Sequence, residues 1–405
     1  MAVAEKLSGA ELRELRRELR RRQVRRRRLT AAAVVGALVA LGILLGRNLA
    51  AVGAGSVELA PARVTLPASP FRAQLPDEMR GVHVTMALAS LPGKLGEYLA
   101  LRRRGLNTIE LDVKDEDGHV AFVSGAPALG RADGAARPYY DPRAVVRQVH
   151  AAGLYLIGRV VTFEDPITAS AHPELAVHRS DGSLWHTSGG LAWLNPYSRA
   201  AWRYDVDVAV AAAKAGFDEI QFDYVRFPSD GDLSLVRYPG PHPQPMKRTI
   251  AAFLRYAAGR LHPLGVRVSA DVFGLSATRD LGIGQFPGTL AGIVDAIYPM
   301  TYPSHYVAGE YGLDDPNAEP GRTVAASLRD FRHRLAGSNA RLVPWLQDFS
   351  LGRTYTAADV AAQIASARRA ATSGFMLWNA VGLYTPGALA AAGPPDLPDL
   401  ARPGL

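Results

Sequence analysis

From Gly81 to Val381 the chain repeats one pattern, a short apolar run followed by an amphipathic stretch, and this repetition constrains the fold more than any other feature. The apolar runs are "GVHVTM" (81–86), "NTIELDVK" (107–114), "LYLIGRVVTF" (154–163), "FDEIQFDYV" (217–225), "VRVSADVF" (266–273), "VDAIYPMTY" (294–302), "RLVPWLQ" (341–347) and "GFMLWNAV" (374–381). Helical periodicity fills 92–104, 141–152, 198–215, 245–262, 322–336 and 357–371 between them. Eight such units in about 310 residues match the count and length of a (β/α)₈ TIM barrel. A doubly wound sheet would need a glycine-rich phosphate turn after its first strand, and "GVHVTMALASLPG" contains none.

A barrel places its chemistry at the C-terminal ends of its strands, and strand alternation sorts side chains into lumen and outer faces. In "GFDEIQFDYVRFPSDG" (216–231), Gln221 and Asp223 share one parity, opposite Ile220, Phe222 and Tyr224. The second run puts Glu110, Asp112 and Lys114 on one face, and the fifth puts Arg267, Ser269 and Asp271 there. His83, Thr85 and Arg159 are the polar offers of the first and third runs. Three strands thus end in an acid on the polar parity, a pattern that packing alone does not require.

Glycoside hydrolysis needs two carboxyl groups flanking the scissile bond, one protonated and one acting as nucleophile or base. Neighbouring strands lie ~4.8 Å apart, so Asp223 and Asp271, ending the fourth and fifth strands, are the candidate catalytic pair. Asp112 and Asp348 remain alternatives for the second acid. The competing structural reading ties these acids to Arg159, Lys114, Arg226 or Arg267 in a buried ion network. Substrate contacts are expected from Asp112 and Lys114 on the second strand and from Tyr224 and Arg226 after the fourth. Tyr302, Trp345, Gln347 and Trp378 stand at later strand ends, where an aromatic ring can stack on the apolar face of a sugar. The connection after the third strand is long enough to cover part of a site, and "YPMTYPSHYVAGEYG" brings His305 to the rim. His172, His178 and His186 lack metal-ligand spacing, and neither a metal nor a cofactor is expected.

The formal net charge of +8 suggests nucleic acid until it is located. Residues 1–28 hold Lys6 and ten arginines against four glutamates, so the remaining 377 residues are nearly neutral. That tail runs into "LTAAAVVGALVALGILLG" (29–46), eighteen residues without a charge, the expected single transmembrane helix. By the positive-inside rule, residues 1–28 form a basic cytoplasmic tail and the barrel is extracytoplasmic, on a cell membrane or envelope. The small residues of "NLAAVGAGS" leave cleavage as an alternative. Residues 47–77, rich in Gly, Ala and Pro, read as a flexible tether, 78–393 as the barrel and 394–405 as a Pro-rich tail. The chain has no cysteine, which excludes thiol catalysis and cysteine-ligated zinc.

With these residues in view, the stretch from about 78 to 390 resembles a bacterial family of glycosyl hydrolase-like (β/α)₈ barrels catalogued as a domain of unknown function. The phrases that carry the resemblance are "FDEIQFDYVRFPSDG", "VSADVFG" followed by "GIGQ", and "DAIYPMTYPSHY". It implies hydrolysis of a polysaccharide, with Asp223 and Asp271 as the catalytic acids. A fainter similarity to chitinase-like barrels breaks down at Val225, where those enzymes carry a catalytic glutamate. The α-galactosidase-like barrels, whose strand-four aspartate is the nucleophile, fit Asp223 better. The expectation is a membrane-anchored glycoside hydrolase of the cell envelope, with no nucleic-acid partner. Two other classes compete with it: a non-hydrolytic carbohydrate-binding barrel, and a metal-dependent hydrolase built on His83 or His305.

Overall fold

The computed structural model describes residues 71–391. The basic tail, the apolar segment 29–46, residues 47–70 of the tether and the tail from 394 lie outside the described residues. Among the described residues, no helix is long and apolar enough to cross a membrane. Two stretches, 186–190 and 230–232, belong to a separate small unit, within which the Gly231 amide donates to Ser188 Oγ (3.0 Å). The remaining described residues form the body set out below.

Nine strand segments build it: β1 (Met79–Val84), β2 (Thr108–Lys114), β3 (Tyr155–Val161), β4 (Glu219–Asp223), β5 (Arg267–Phe273), β6 (Ala296–Met300), β7 (Arg341–Leu342), β8 (Trp345–Gln347) and β9 (Gly374–Trp378). Every neighbouring pair is parallel, and pairing of β1 with β9 closes the ring. β7 and β8 are two halves of one stave. Pro344 lies between them and has no N–H for the ladder, so the expected continuous strand divides there. The result is the eight-stave parallel barrel anticipated from the sequence.

The longer helices follow the periodic stretches: α1 (Lys94–Ala100), α2 (Pro142–Ala151), α3 (Arg199–Ala215), α4 (Met246–Leu261), α5 (Pro320–Arg334) and α6 (Ala357–Arg369). Their starts are chemically marked. Asp141 accepts from Ala144 N ahead of Pro142, Ser198 accepts from Ala201 N, and Thr356 with Asp359 forms a reciprocal capping box. The outward strand residues pack with the helices into the larger apolar core. A second cluster fills the lower lumen, including Tyr155, Ile157, Tyr298, Val343 and Met376. Glu219 lies in that layer and accepts from Tyr155 (3.1 Å) and Tyr298 (3.0 Å).

Two local results differ from the sequence expectation. Residues 71–77, assigned to the tether, lie along the barrel body instead. Arg72 N donates to Gly265 O (2.9 Å), Arg267 to Ala73 O (2.7 Å) and Arg341 to Pro76 O (3.0 Å). In β2, the β2–β3 register slips between Asp112 and Lys114, so a bulge breaks the alternation that would have aimed both into the lumen. Lys114 turns outward, fully buried between the sheet and α3. Its ammonium donates to Thr162 O (3.0 Å) and pairs with Asp205 (2.7 Å) and Asp165 (2.8 Å). Lys114 is therefore enclosed in a closed ion cluster and is not a substrate contact.

Candidate active site

The upper lumen is assembled from the strand ends, and its centre is Arg159 on β3. On the adjacent stave Asp223 ends β4, and its Oδ2 accepts from both Arg159 Nε (3.0 Å) and Nη2 (2.8 Å). Arg159 Nη1 donates to Asp112 on β2 (2.9 Å) and reaches Glu116 in the following loop (3.3 Å). One guanidinium thus holds three carboxylates, in short charge-assisted bonds. Burial alone would raise Glu116, but the charge and hydrogen bond of Arg159, together with a backbone hydrogen bond and His83, hold the carboxyl below its usual range.

Asp271 sits on the next stave, β5, in register with β4. It is 2% exposed, against 8% for Asp223. Its Oδ1 accepts from Gln221 Nε2 (2.6 Å) and Trp345 Nε1 (2.7 Å). Gln285, from the "GIGQ" stretch, donates to the Asp271 carbonyl (3.0 Å) and accepts from Phe273 N (2.9 Å), which fixes the strand end. Burial, reinforced by the charges of Asp223 and Glu110, pushes the Asp271 carboxyl well above the ordinary aspartate range; the two hydrogen bonds oppose that shift without cancelling it. The lumen thus holds one aspartate in an ion pair and a neighbouring one that favours its proton.

Below them His83 Nδ1 meets Glu110 Oε2 at 2.5 Å, and His83 Nε2 lies 3.7 Å from Asp112. Burial lowers His83 to about 4 and raises Glu110, so the two groups form a pair without net charge. Trp378 lies over His83 (ring centroids 4.4 Å, 31°), stands perpendicular to Trp345 (5.6 Å, 87°) and faces Arg159 (5.4 Å). It remains half-buried. Trp345 is 2% exposed. It was expected as a sugar platform, and it acts instead as a donor to Asp271.

The other expected contacts divide. Tyr302 is buried near the acids and packs edge-on to His305 (5.4 Å) and Phe349 (5.6 Å), with His305 itself exposed at the rim. Gln347 is fully buried: its Oε1 accepts from Ser304 N (3.0 Å) and its Nε2 donates to Phe349 O (3.0 Å), so it braces two loops. Asp348 accepts from Thr385 N (2.7 Å) and Oγ1 (2.6 Å), which engages it in the turn after β9. Tyr224 adopts φ +50°, a backbone strain placed directly after Asp223. Its ring leaves the lumen for Trp193 (5.9 Å). Arg226 does not touch Asp223. It donates to Phe227 O (3.2 Å) and Ser229 Oγ (2.9 Å) among the rings of Trp193, Tyr224 and Phe273.

Glu116 and Trp193 were not anticipated. Glu116 follows the bulge that alternation does not foresee, and Trp193 lies in the long connection after β3, whose course local sequence leaves open. Within that connection Trp193 is fully buried and packs on the Tyr224 ring and the Arg226 guanidinium. His172 pairs with Asp133 (3.1 Å) and His178 with Pro173 O (2.7 Å), both within loops. Among the described residues, one group of metal-ligating side chains comes together, Asp115, Asp117 and His119 after β2. It includes neither His83 nor His305, on which the metal-dependent alternative rested.

No curated protein matches the chain. Among solved structures, the glycoside hydrolase domain of PgaB (BpsB) from Bordetella bronchiseptica is 14% identical with a TM-score of 0.53, over 78% of this chain and 96% of that one; this likeness is one of fold. A hypothetical protein from Ruminiclostridium thermocellum is 36% identical with a TM-score of 0.44, over 47% of this chain and 97% of its own. A class V chitininase from Pseudomonas fluorescens is 15% identical with a TM-score of 0.49, over 78% and 99%. Residues 81–384 match the model of the family described as "Putative glycosyl hydrolase domain", and the chain belongs to that family.

Proposed function

We propose that the barrel hydrolyses glycosidic bonds of a polysaccharide with Asp223 and Asp271 as its two acids. The observation that carries this reading is the contrast between them: Asp223 is ion-paired to Arg159, while the buried Asp271 favours its proton. A glycosidase needs one carboxylate and one carboxylic acid across the scissile bond. Asp271 would protonate the departing oxygen and Asp223 would attack or stabilise the sugar cation. Their place on neighbouring staves, about 4.8 Å apart, suits the short carboxyl separation of retaining enzymes better than the wider gap of inverting ones. Trp378, only half-buried, would support a sugar.

The anchor belongs to the same proposal. Ten arginines before an uncharged segment would hold the protein in a membrane with the barrel outside the cytoplasm, close to envelope glycans. The test is turnover by the full-length protein, purified in mild detergent, on a panel of envelope and secreted polysaccharides, beside Asp223→Asn. Reducing ends released by the wild type and absent with the variant support the proposal. Glycan binding without turnover, unchanged in Asp223→Asn, would replace it with the carbohydrate-binding reading.

A further inference from the structure

Four basic side chains are buried among the described residues: Arg80, Lys114, Arg159 and Arg226. Arg80 pairs with Glu78, Lys114 with Asp165 and Asp205, and Arg159 with Asp112 and Asp223. Arg226 is 7% exposed, and among the described residues no carboxylate lies within ion-pair distance of it; Glu164 and Asp223 are the nearest acids, around the same Tyr224 ring. Its two hydrogen bonds both leave from Nη1, to Phe227 O and Ser229 Oγ. Nε and Nη2 form no hydrogen bond with the described residues. A buried cation without a counter-ion is unfavourable, and the faces of Trp193, Tyr224 and Phe273, at 4.8–5.0 Å, compensate only part of the lost hydration.

The position of this charge gives it a use. The guanidinium lies 4.8 Å from the ring of Phe273, two residues beyond Asp271 on β5, and Arg226 follows Asp223 by three residues, which ties it to the C-terminal ends of the two strands that carry the acids. We infer that Arg226 receives an acidic substituent of the glycan, a carboxylate, sulfate or phosphate, and selects an anionic polysaccharide over its neutral counterpart. The inference rests on the hydrolase reading above for the place of the substrate. The two free N–H groups form the fork that binds planar oxyanions in a bidentate manner. A sugar carboxylate there would supply the missing counter-ion, and it would do so only in the complex.

The experiment pairs uronate-containing polysaccharides with the same chains after carboxyl reduction, using full-length protein in mild detergent. Turnover and calorimetric binding to the Asp223→Asn form are both measured. Wild type should favour an unreduced polymer by about 10- to 100-fold, the range of one charge-assisted contact. Arg226→Gln should lose that preference mainly through KM, and Arg226→Lys should keep part of it. Arg226→Met should leave the thermal midpoint of the free protein unchanged or higher, because an unpaired buried charge is removed. If no polymer is cleaved, the hydrolase reading fails, while carboxylate-dependent binding lost in Arg226→Gln would still sustain the anion site. Equal handling of acidic and reduced forms, or a preference that survives in Arg226→Gln, overturns it.

Discussion

Two buried ion clusters in this barrel share a composition and differ in surroundings. Behind β2, Lys114 holds Asp165 and Asp205, and all three side chains are fully enclosed. In the lumen Arg159 holds Asp112 and Asp223, with Glu116 at its open edge. Each is one cation between two aspartates. The rear cluster has no way out: burial raises Asp205 to about 7, and it borders the Tyr204 ring (5.3 Å from Lys114 Nζ). The lumen cluster adjoins Asp271, a second acid that prefers its proton, and the half-buried Trp378. A cation with two acids is thus an ordinary way to brace a sheet, and only access and a neighbouring proton donor make it a candidate for chemistry.

The comparison can be broken most sharply at Asp223. Asp223→Asn should lower turnover by at least about 10³-fold while the thermal midpoint moves little, since acids in catalysis contribute at this scale. A large loss of stability with turnover preserved would make the lumen cluster a brace like the rear one. The reverse is expected behind the sheet. Lys114→Ala leaves two enclosed carboxylates without their cation and should destabilise the fold by about 3–5 kcal/mol, read as denaturant midpoint, with kcat per folded molecule unchanged.

Trp345→Phe keeps the ring but removes the donor to Asp271. It should reduce kcat by roughly 10-fold, leave KM nearly unchanged and move the alkaline limb of the pH profile upward, because the lost bond stabilises the carboxylate. pH separates the clusters further. Asp271 must carry a proton to act as the acid, so turnover falls as pH rises through its elevated pKa. Asp205 is also raised, so the stability it contributes is complete below the unfolded aspartate pKa near 4 and declines as pH climbs towards about 7. Asp205→Asn should flatten that decline in thermal midpoint without shifting the activity profile. The smallest effect is at the platform: Trp378→Ala should raise KM about 5- to 10-fold with kcat changed less than about 3-fold.

Much of this site could be read before the fold was known. Asp223 and Asp271 are legible because alternation along β4 and β5 is unbroken, and parity then predicts their common face. Arg159 is legible on the same grounds, although its choice of Asp223 over other acids is not. Lys114 misleads because a bulge after Asp112 reverses its direction, and a bulge leaves no mark in residue type. Trp345 and Gln347 keep the expected strand, but whether a ring is a platform or a buried donor depends on what other strands press against it.

The sequence by itself determined the eight βα units, their boundaries to within a few residues and the polar parity of the strand ends, because hydrophobic periodicity and capping are local properties of the chain. Tertiary structure alone decided the pairing of Arg159 with Asp112 and Asp223 and the hold of Gln221 and Trp345 on Asp271. Those relations join residues 47 to 74 positions apart, and only closure of the barrel brings such groups within hydrogen-bond range.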